Sequence, residues 1–133
     1  MRCGGEWVVL GQASDIMRLL VVVLNYRVTD LTVQCLQALS PEVKSVPGTR
    51  VAVCENGTGP SAVRQLREAI EVHGWSEWAY LRDVYPNQGF TGGNNLVIRE
   101  ALAWPDPPEY VLLLNADAFV QPGALSELVR FMD

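Results

Sequence analysis

The 133-residue sequence contains one lysine, Lys44, and one histidine, His73, against 15 acidic side chains. With a formal charge of −5 and a pI near 4.8, it lacks the clustered cations that binding to a nucleic-acid backbone requires. An anionic ligand would have to be met by backbone N–H groups, a few arginines or a bound metal cation. The solitary histidine removes Ser-His and Cys-His catalysis as an internal option. The cysteines, Cys3, Cys35 and Cys54, are odd in number and widely spaced, which excludes a zinc-site or dithiol pattern and makes reduced thiols the default. The longest apolar run, Leu19 to Leu24, is far short of the ~20 residues that span a bilayer. Trp7 to Leu10 is too short for a secretory signal. A cytoplasmic protein is expected, a placement compatible with peripheral docking at the inner face of a membrane. Two nucleotide-binding motifs are also missing. The turn Asn25-Tyr26-Arg27-Val28 has no glycine where a dinucleotide fingerprint would carry G-x-G-x-x-G, and Lys44 is remote from any glycine-rich stretch, so there is no P-loop.

What is present describes one globular domain. Hydrophobic residues make up 49% and charged residues 19%, and at this length roughly two-thirds of the extended chain's surface can be buried. Residues 1–16 show no periodicity and read as a tail; Met17 is an alternative start. From 17 to 133 apolar strand-length runs alternate with helical periods. Strands are expected at Leu19–Leu24, Arg50–Cys54, Trp78–Arg82 and Tyr110–Leu114. Helices are expected from Asp30 to Leu39, ended by Pro41; from a Ser61 cap to Val72; from Asn94 to Ala103; and from Pro122, with Leu125, Leu128, Val129 and Met132 on one side. This rhythm implies an α/β fold with a Rossmann-like, open, mainly parallel sheet, its strands buried on both faces.

In such sheets the ligand lies beyond the carboxyl ends of the strands. The four segments there are Asn25-Tyr26-Arg27, Glu55-Asn56-Gly57-Thr58, the stretch from Asn87 to Asn95, and Asn115-Ala116-Asp117-Ala118. Singly, several have ordinary explanations: Asn25 can end a strand, and Asn56-Gly57 is a common turn pair. Glu55 asks for more, because a carboxylate directly after a buried strand needs a donor, such as a ligand hydroxyl or base N–H. Gly89, Gly92 and Gly93 permit close approach of backbone to a ligand, and Asn94 and Asn95 are expected to open a helix whose free N–H groups face an anion. Asp117, two residues past Asn115, can offer a carboxylate beside an amide oxygen to a hard cation, Mg²⁺ or Mn²⁺. The competing reading makes Asp117 the cap of the next turn.

Together, VVVLNYR at 21–27, VCENGT at 53–58, NQGFTGGNN at 87–95 and YVLLLNADAFVQPGAL at 110–125 resemble the inverting family-2 glycosyltransferases of GT-A fold, most of all their rhamnosyltransferase-like members. The resemblance covers residues 19–133, the N-terminal donor-binding part of such a domain. It implies that Asn25, Tyr26 and Glu55 border the base and ribose of a nucleoside diphosphate sugar, with Asn56 beside them. Most relatives carry Asp where Glu55 stands. Asn87, Gly89, Gly92, Gly93, Asn94 and Asn95 would line the nucleoside and diphosphate, and Asn115 and Asp117 correspond to the D-x-D metal motif, Asn being a common variant at its first position.

The implied reaction displaces the nucleoside diphosphate at the anomeric carbon by an acceptor hydroxyl, with inversion, the acceptor being a glycan or a lipid-linked species of cell-surface polysaccharide synthesis. The required general base belongs to the part of the fold after the metal motif, and no candidate for it occurs here. The chain is therefore expected to bind donor and to be incomplete for transfer alone. Two other readings compete: a non-catalytic nucleotide-binding or scaffold fragment of this fold, and a dinucleotide-binding oxidoreductase domain, which the missing glycines disfavour.

Overall fold

A computed structural model describes residues 17–133. The tail expected over 1–16 lies outside them. Four strands alternate with four helices: β1 Leu19–Asn25, α1 Thr29–Ser45, β2 Thr49–Asn56, α2 Pro60–Val72, β3 Ala79–Val84, α3 Gly89–Leu102, β4 Tyr110–Asn115 and α4 Ala124–Met132, with a 3₁₀ turn at Trp75–Glu77. All strand pairs are parallel, in the order β3-β2-β1-β4. The α/β, Rossmann-like sheet expected from the sequence is therefore present. Among the described residues no helix is long and apolar enough to cross a membrane.

Side-chain alternation divides the core in two. Leu19, Val21, Val23, Val51 and Val53 face Cys35, Leu36 and Leu39 of α1, Leu66 and Ile70 of α2, and Leu125 and Val129 of α4. Leu20, Val22, Ala52 and Cys54 face Val97 and Ala101 of α3. Each buried Val or Leu contributes about 1.5–3 kcal/mol, so β1 and β2, apolar on both faces, anchor the domain. Trp75 and Trp78 are buried where α2 passes into β3.

Several element boundaries depart from expectation. β3 starts one residue later and runs two further than the apolar run alone indicates. β4 is an edge: Val111 and Leu113 are exposed because they lie on the α3 face, and α3 covers only the middle of the sheet. In α4 Leu125 and Val129 are buried but Leu128 and Met132 are not. Ser61 is not the cap of α2; Gly59 holds that position and Pro60 begins the helix without a side-chain cap, as suits a residue with no N–H to satisfy and a preset φ.

The largest departure is Pro41, which lies inside α1 and does not end it. An interior proline costs about 3 kcal/mol, and the turn beyond it supplies the offset. Glu42 and Val43 are buried there, and the Glu42 carboxylate accepts hydrogen bonds from the backbone N–H groups of Gly123 at 3.0 Å and Leu125 at 3.1 Å. These donors belong to the start of α4, where unpaired N–H groups and the helix dipole favour an anion. Glu42 thus joins α1 to α4 across 81 residues of sequence, and no local pattern announces it. Glu42→Ala should remove about 2–3 kcal/mol of stability, the scale of hydrogen bonds to a charged group, measured as a lower urea midpoint. A change below about 0.5 kcal/mol, ordinary for a surface residue, would contradict this role.

Candidate functional site at the carboxyl edge of the sheet

Because all four strands run parallel, their carboxyl ends share one edge. In register, Asn25 pairs with Glu55, Glu55 with Asp83, and Leu24 with Asn115. The chain moves outward from β1 to β2 to β3, then returns to place β4 on the other side of β1. The topological switch point, where open α/β sheets leave a crevice for ligand, is therefore between β1 and β4, flanked by Asn25-Tyr26 and Asn115-Asp117.

The donor that Glu55 demands comes from the chain itself. Its carboxylate, fully buried, accepts from Asn25 Nδ2 at 3.0 Å, from the Thr58 N–H at 3.0 Å and from the Gly59 N–H at 3.3 Å. Asn25 is equally enclosed: its Oδ1 accepts from Thr32 Oγ1 at 2.6 Å. The loops after β1 and β2 are thereby tied together, and Thr58 extends the tie by accepting the Arg27 N–H on its Oγ1 at 2.8 Å. Arg27 is the one non-glycine with positive φ among the described residues, at 61°, a conformation costing roughly 1–2 kcal/mol. Its guanidinium lies 5.0 Å from the centroid of the Tyr26 ring, and both side chains are exposed.

Asn56, next in sequence, points to the opposite face. Its Oδ1 accepts from the Gln88 N–H and its Nδ2 donates to the Gly89 carbonyl, both at 3.0 Å, holding the entry to α3. That helix starts at Gly89, not at Asn94, so Asn94 and Asn95 lie in its second turn and the N–H groups at its open end are those of Gly89 to Gly92. Of these, Gly89 donates to Asn87 Oδ1 at 2.6 Å. Asn94 is buried and donates to the Phe90 carbonyl at 3.0 Å. The glycines serve packing more directly than ligand approach. A Cβ on Gly93 would be 2.8 Å from Leu24 Cδ1 and 2.9 Å from Asn56 Nδ2, and one on Gly57, whose φ is +91°, would be 2.4 Å from the Asn87 backbone nitrogen.

Asn115 and Asp117 differ from these residues in being exposed, and the side chain of neither has a hydrogen-bond partner among the described residues. The turn after β4 is closed by backbone, with the Ala118 N–H donating to the Asn115 carbonyl at 2.9 Å; Asp117 does not cap it. No group of three or more His, Cys, Asp or Glu residues arranged for a metal occurs among the described residues. One free carboxylate near an amide oxygen fits a hard cation whose remaining positions are filled by phosphate oxygens and water. It does not fit a site that would hold a metal unaided. Beneath it, Cys35 Sγ approaches the Asn115 carbonyl at 3.9 Å, and its thiol is pushed up to about 11 by burial and then by the Asp117 charge. Burial likewise pushes Cys54 up to about 11 and Tyr80 to about 12.

The edge thus holds two kinds of polar residue: Asn25, Glu55 and Asn56 are engaged by the chain on both sides of their polar groups and Asn94 is buried with its Nδ2 on Phe90, while Tyr26, Asn115 and Asp117 present themselves outward. A groove of about 250 Å³ beside the Glu55 clamp, lined by Gly59, Pro60, Val63, Arg64, Asp83 and Tyr85, belongs to the same edge. Arg27 and Thr58 lie in two of the strand-end segments the sequence singles out, but nothing local gives either a role of its own, since the αL turn at Arg27 has no glycine to mark it; Asp83 has no sequence signal, because its pairing with Glu55 depends on register. The larger 370 Å³ cavity between β4 and α4 reaches Leu19 and Glu109 at the opposite, amino edge.

This architecture is an open, parallel, Rossmann-like α/β sheet with its crevice at the β1–β4 switch. A mannosyltransferase from Pyrobaculum calidifontis, PcManGT, solved in complex with GDP-Man and Mn²⁺, matches with a TM-score of 0.72 and 18% identity, over 96% of this chain and 36% of that one. The chain thus spans just over a third of its structural neighbour. No family model matches it, and no curated protein matches it significantly.

Two testable outcomes arise from this geometry. Gly57→Ala places a methyl group against backbone in a left-handed turn, and should cost about 1–3 kcal/mol by urea denaturation; a midpoint equal to wild type would show that the turn and the Asn87 loop can separate freely. The raised thiol and phenol values mean that the folded state keeps these groups neutral. Their stabilisation is complete below pH 9 and is lost as pH rises toward 11, so the urea midpoint should fall between pH 8 and 10.5. A flat profile would mean that Cys35 and Cys54 ionise without resistance.

Proposed function

We propose that the carboxyl edge of the sheet binds a nucleoside diphosphate sugar, and that the chain is the donor-binding part of an inverting, family-2-type glycosyltransferase. The observation carrying this reading is the exposed, unpartnered Asp117 carboxylate at the β1–β4 switch point, in a fold shared with an enzyme solved with GDP-Man and Mn²⁺. Asp117, with the Asn115 amide oxygen, would hold Mg²⁺ or Mn²⁺ against the donor's diphosphate. When bound, that cation supplies Lewis-acid neutralisation of the charge growing on the departing diphosphate.

The remaining residues divide by geometry. Tyr26, Asn87 and Asn95 are available to contact nucleoside and diphosphate, whereas Gly89 has its N–H and carbonyl taken by Asn87 and Asn56. Asn25, Glu55, Asn56, Gly92, Gly93 and Asn94 act chiefly by fixing the walls between which the donor lies. The transferred sugar, rhamnose by the sequence resemblance and mannose by the structural neighbour, is selected elsewhere than in these clamps. The acceptor is a glycan or lipid-linked hydroxyl compound, and its deprotonation needs a carboxylate base that we assign to no described residue.

Calorimetric titration with GDP-mannose, UDP-glucose and dTDP-rhamnose in Mn²⁺ should give saturable binding of at least one donor, weakened on the order of tenfold or more by Asp117→Ala, the loss of a charge-assisted contact. Absence of binding by all three, or affinity indifferent to Asp117→Ala and to removal of the cation, would defeat the proposal.

A further inference from the structure

We infer that Arg27 is a binding residue for the anionic diphosphate of the nucleotide donor, held ready in a strained backbone conformation by the Glu55–Thr58 clamp; this rests on the reading of the edge as a nucleotide-sugar site. Three independent observations converge on it. Arg27 is the one non-glycine in the left-handed region among the described residues, and an outlier of that kind persists only where its surroundings enforce it, most often at a ligand site. The enforcement is visible: the Arg27 N–H donates to Thr58 Oγ1 at 2.8 Å, and the Thr58 N–H in turn donates to the buried Glu55 carboxylate at 3.0 Å.

The side chain is the second observation. Arg18, Arg82 and Arg130 each form ion pairs with carboxylates, whereas Arg27, like Arg50, Arg64, Arg67 and Arg99, has no carboxylate within ion-pair distance among the described residues; of these five, Arg27 is the one in the loop that leaves β1. Its guanidinium instead lies over the Tyr26 ring at 5.0 Å, which orients the planar fork while leaving its N–H donors unspent. The third is position. Arg27 lies in the loop that leaves β1, one of the two strands flanking the switch point. In a chain of charge −5 with a single lysine, an uncompensated arginine there is a scarce resource for meeting an anion, and a guanidinium matches paired phosphate oxygens bidentately.

Arg27→Gly separates the two roles of the residue, because glycine adopts this φ without strain but offers no charge; Arg27→Gln keeps the strain and a shorter polar side chain and also lacks the charge. Binding of GDP, UDP and dTDP, each compared with its nucleoside, would be measured on both variants and the wild type, with the thermal midpoint of each. Both variants should bind the diphosphate that wild type prefers about tenfold or more weakly, the scale of a charge-assisted contact. Nucleoside binding should be unchanged, and Arg27→Gly should melt no lower than wild type. Wild-type affinity for the diphosphate in Arg27→Gly would overturn the inference while leaving the donor site intact, and so would equal losses for diphosphate and nucleoside. Failure of wild type to bind any of the three diphosphates would instead refute the donor site itself, and this inference with it.

Discussion

The carboxyl edge is organised by a buried negative charge. Removing a carboxylate from water is tolerable only when donors replace the lost hydration, and Glu55, fully enclosed, obtains them from Asn25, Thr58 and Gly59. None of these donors can move away without leaving the charge bare. The loop after β1, the loop after β2 and, through Thr32, the first turns of α1 are therefore set relative to one another by one side chain. Asn56 does the corresponding work for the other face, because successive strand residues point to opposite sides, and its amide fixes the entry of α3. Two adjacent residues at the end of one strand thus position the helices on both faces of the sheet.

This arrangement separates residues that build the crevice from those free to act within it. Asn25, Glu55 and Asn56 have their hydrogen-bonding capacity largely taken up by the protein and Asn94 is buried, whereas Tyr26, Asn115 and Asp117 are exposed. The difference stems from sheet position. β1 and β2 are interior strands whose tips are hemmed in by neighbouring loops; β4 is an edge strand, so the turn at its carboxyl end meets solvent on one side. An edge tip next to the switch point is where a carboxylate can remain unpaired at little cost and still adjoin the crevice.

The fold is largely legible in the sequence because its signal is local. Six consecutive apolar residues in β1 can be satisfied only by burial on both faces, and the strand–helix alternation then fixes a parallel sheet. The features that local pattern misses are decided across the sequence. Pro41 stops a helix by local rules, yet Glu42 finds its partners at Gly123 and Leu125, far away in sequence, and the helix continues. Glu55 visibly needs donors, but the sequence does not say that Thr58 and Gly59 turn back to provide them. The glycines at 92 and 93 suggest room for a ligand; contact geometry gives that room to Gln88, Leu24 and Asn56. The pairing between tips, of Asn25 with Glu55, requires the register as well.

The electrostatics of the edge set the terms for any diphosphate. A doubly charged group entering an acidic protein must find positive potential of short range, since the average field of the surface repels it. The described residues offer few sources, the unpaired Arg27 guanidinium in the loop after β1 first among them. The open end of α3 contributes partial charge from its first N–H groups, one of which, at Gly89, is already taken by Asn87. A cation at Asp117 would contribute most, but a single carboxylate and an amide retain it weakly until phosphate oxygens complete its shell. Donor and cation would then bind with strong mutual dependence, each supplying what the other lacks. The buried Glu55 charge stays compatible with that event because its own donors already compensate it locally, so the crevice does not begin with an unscreened anion at its floor.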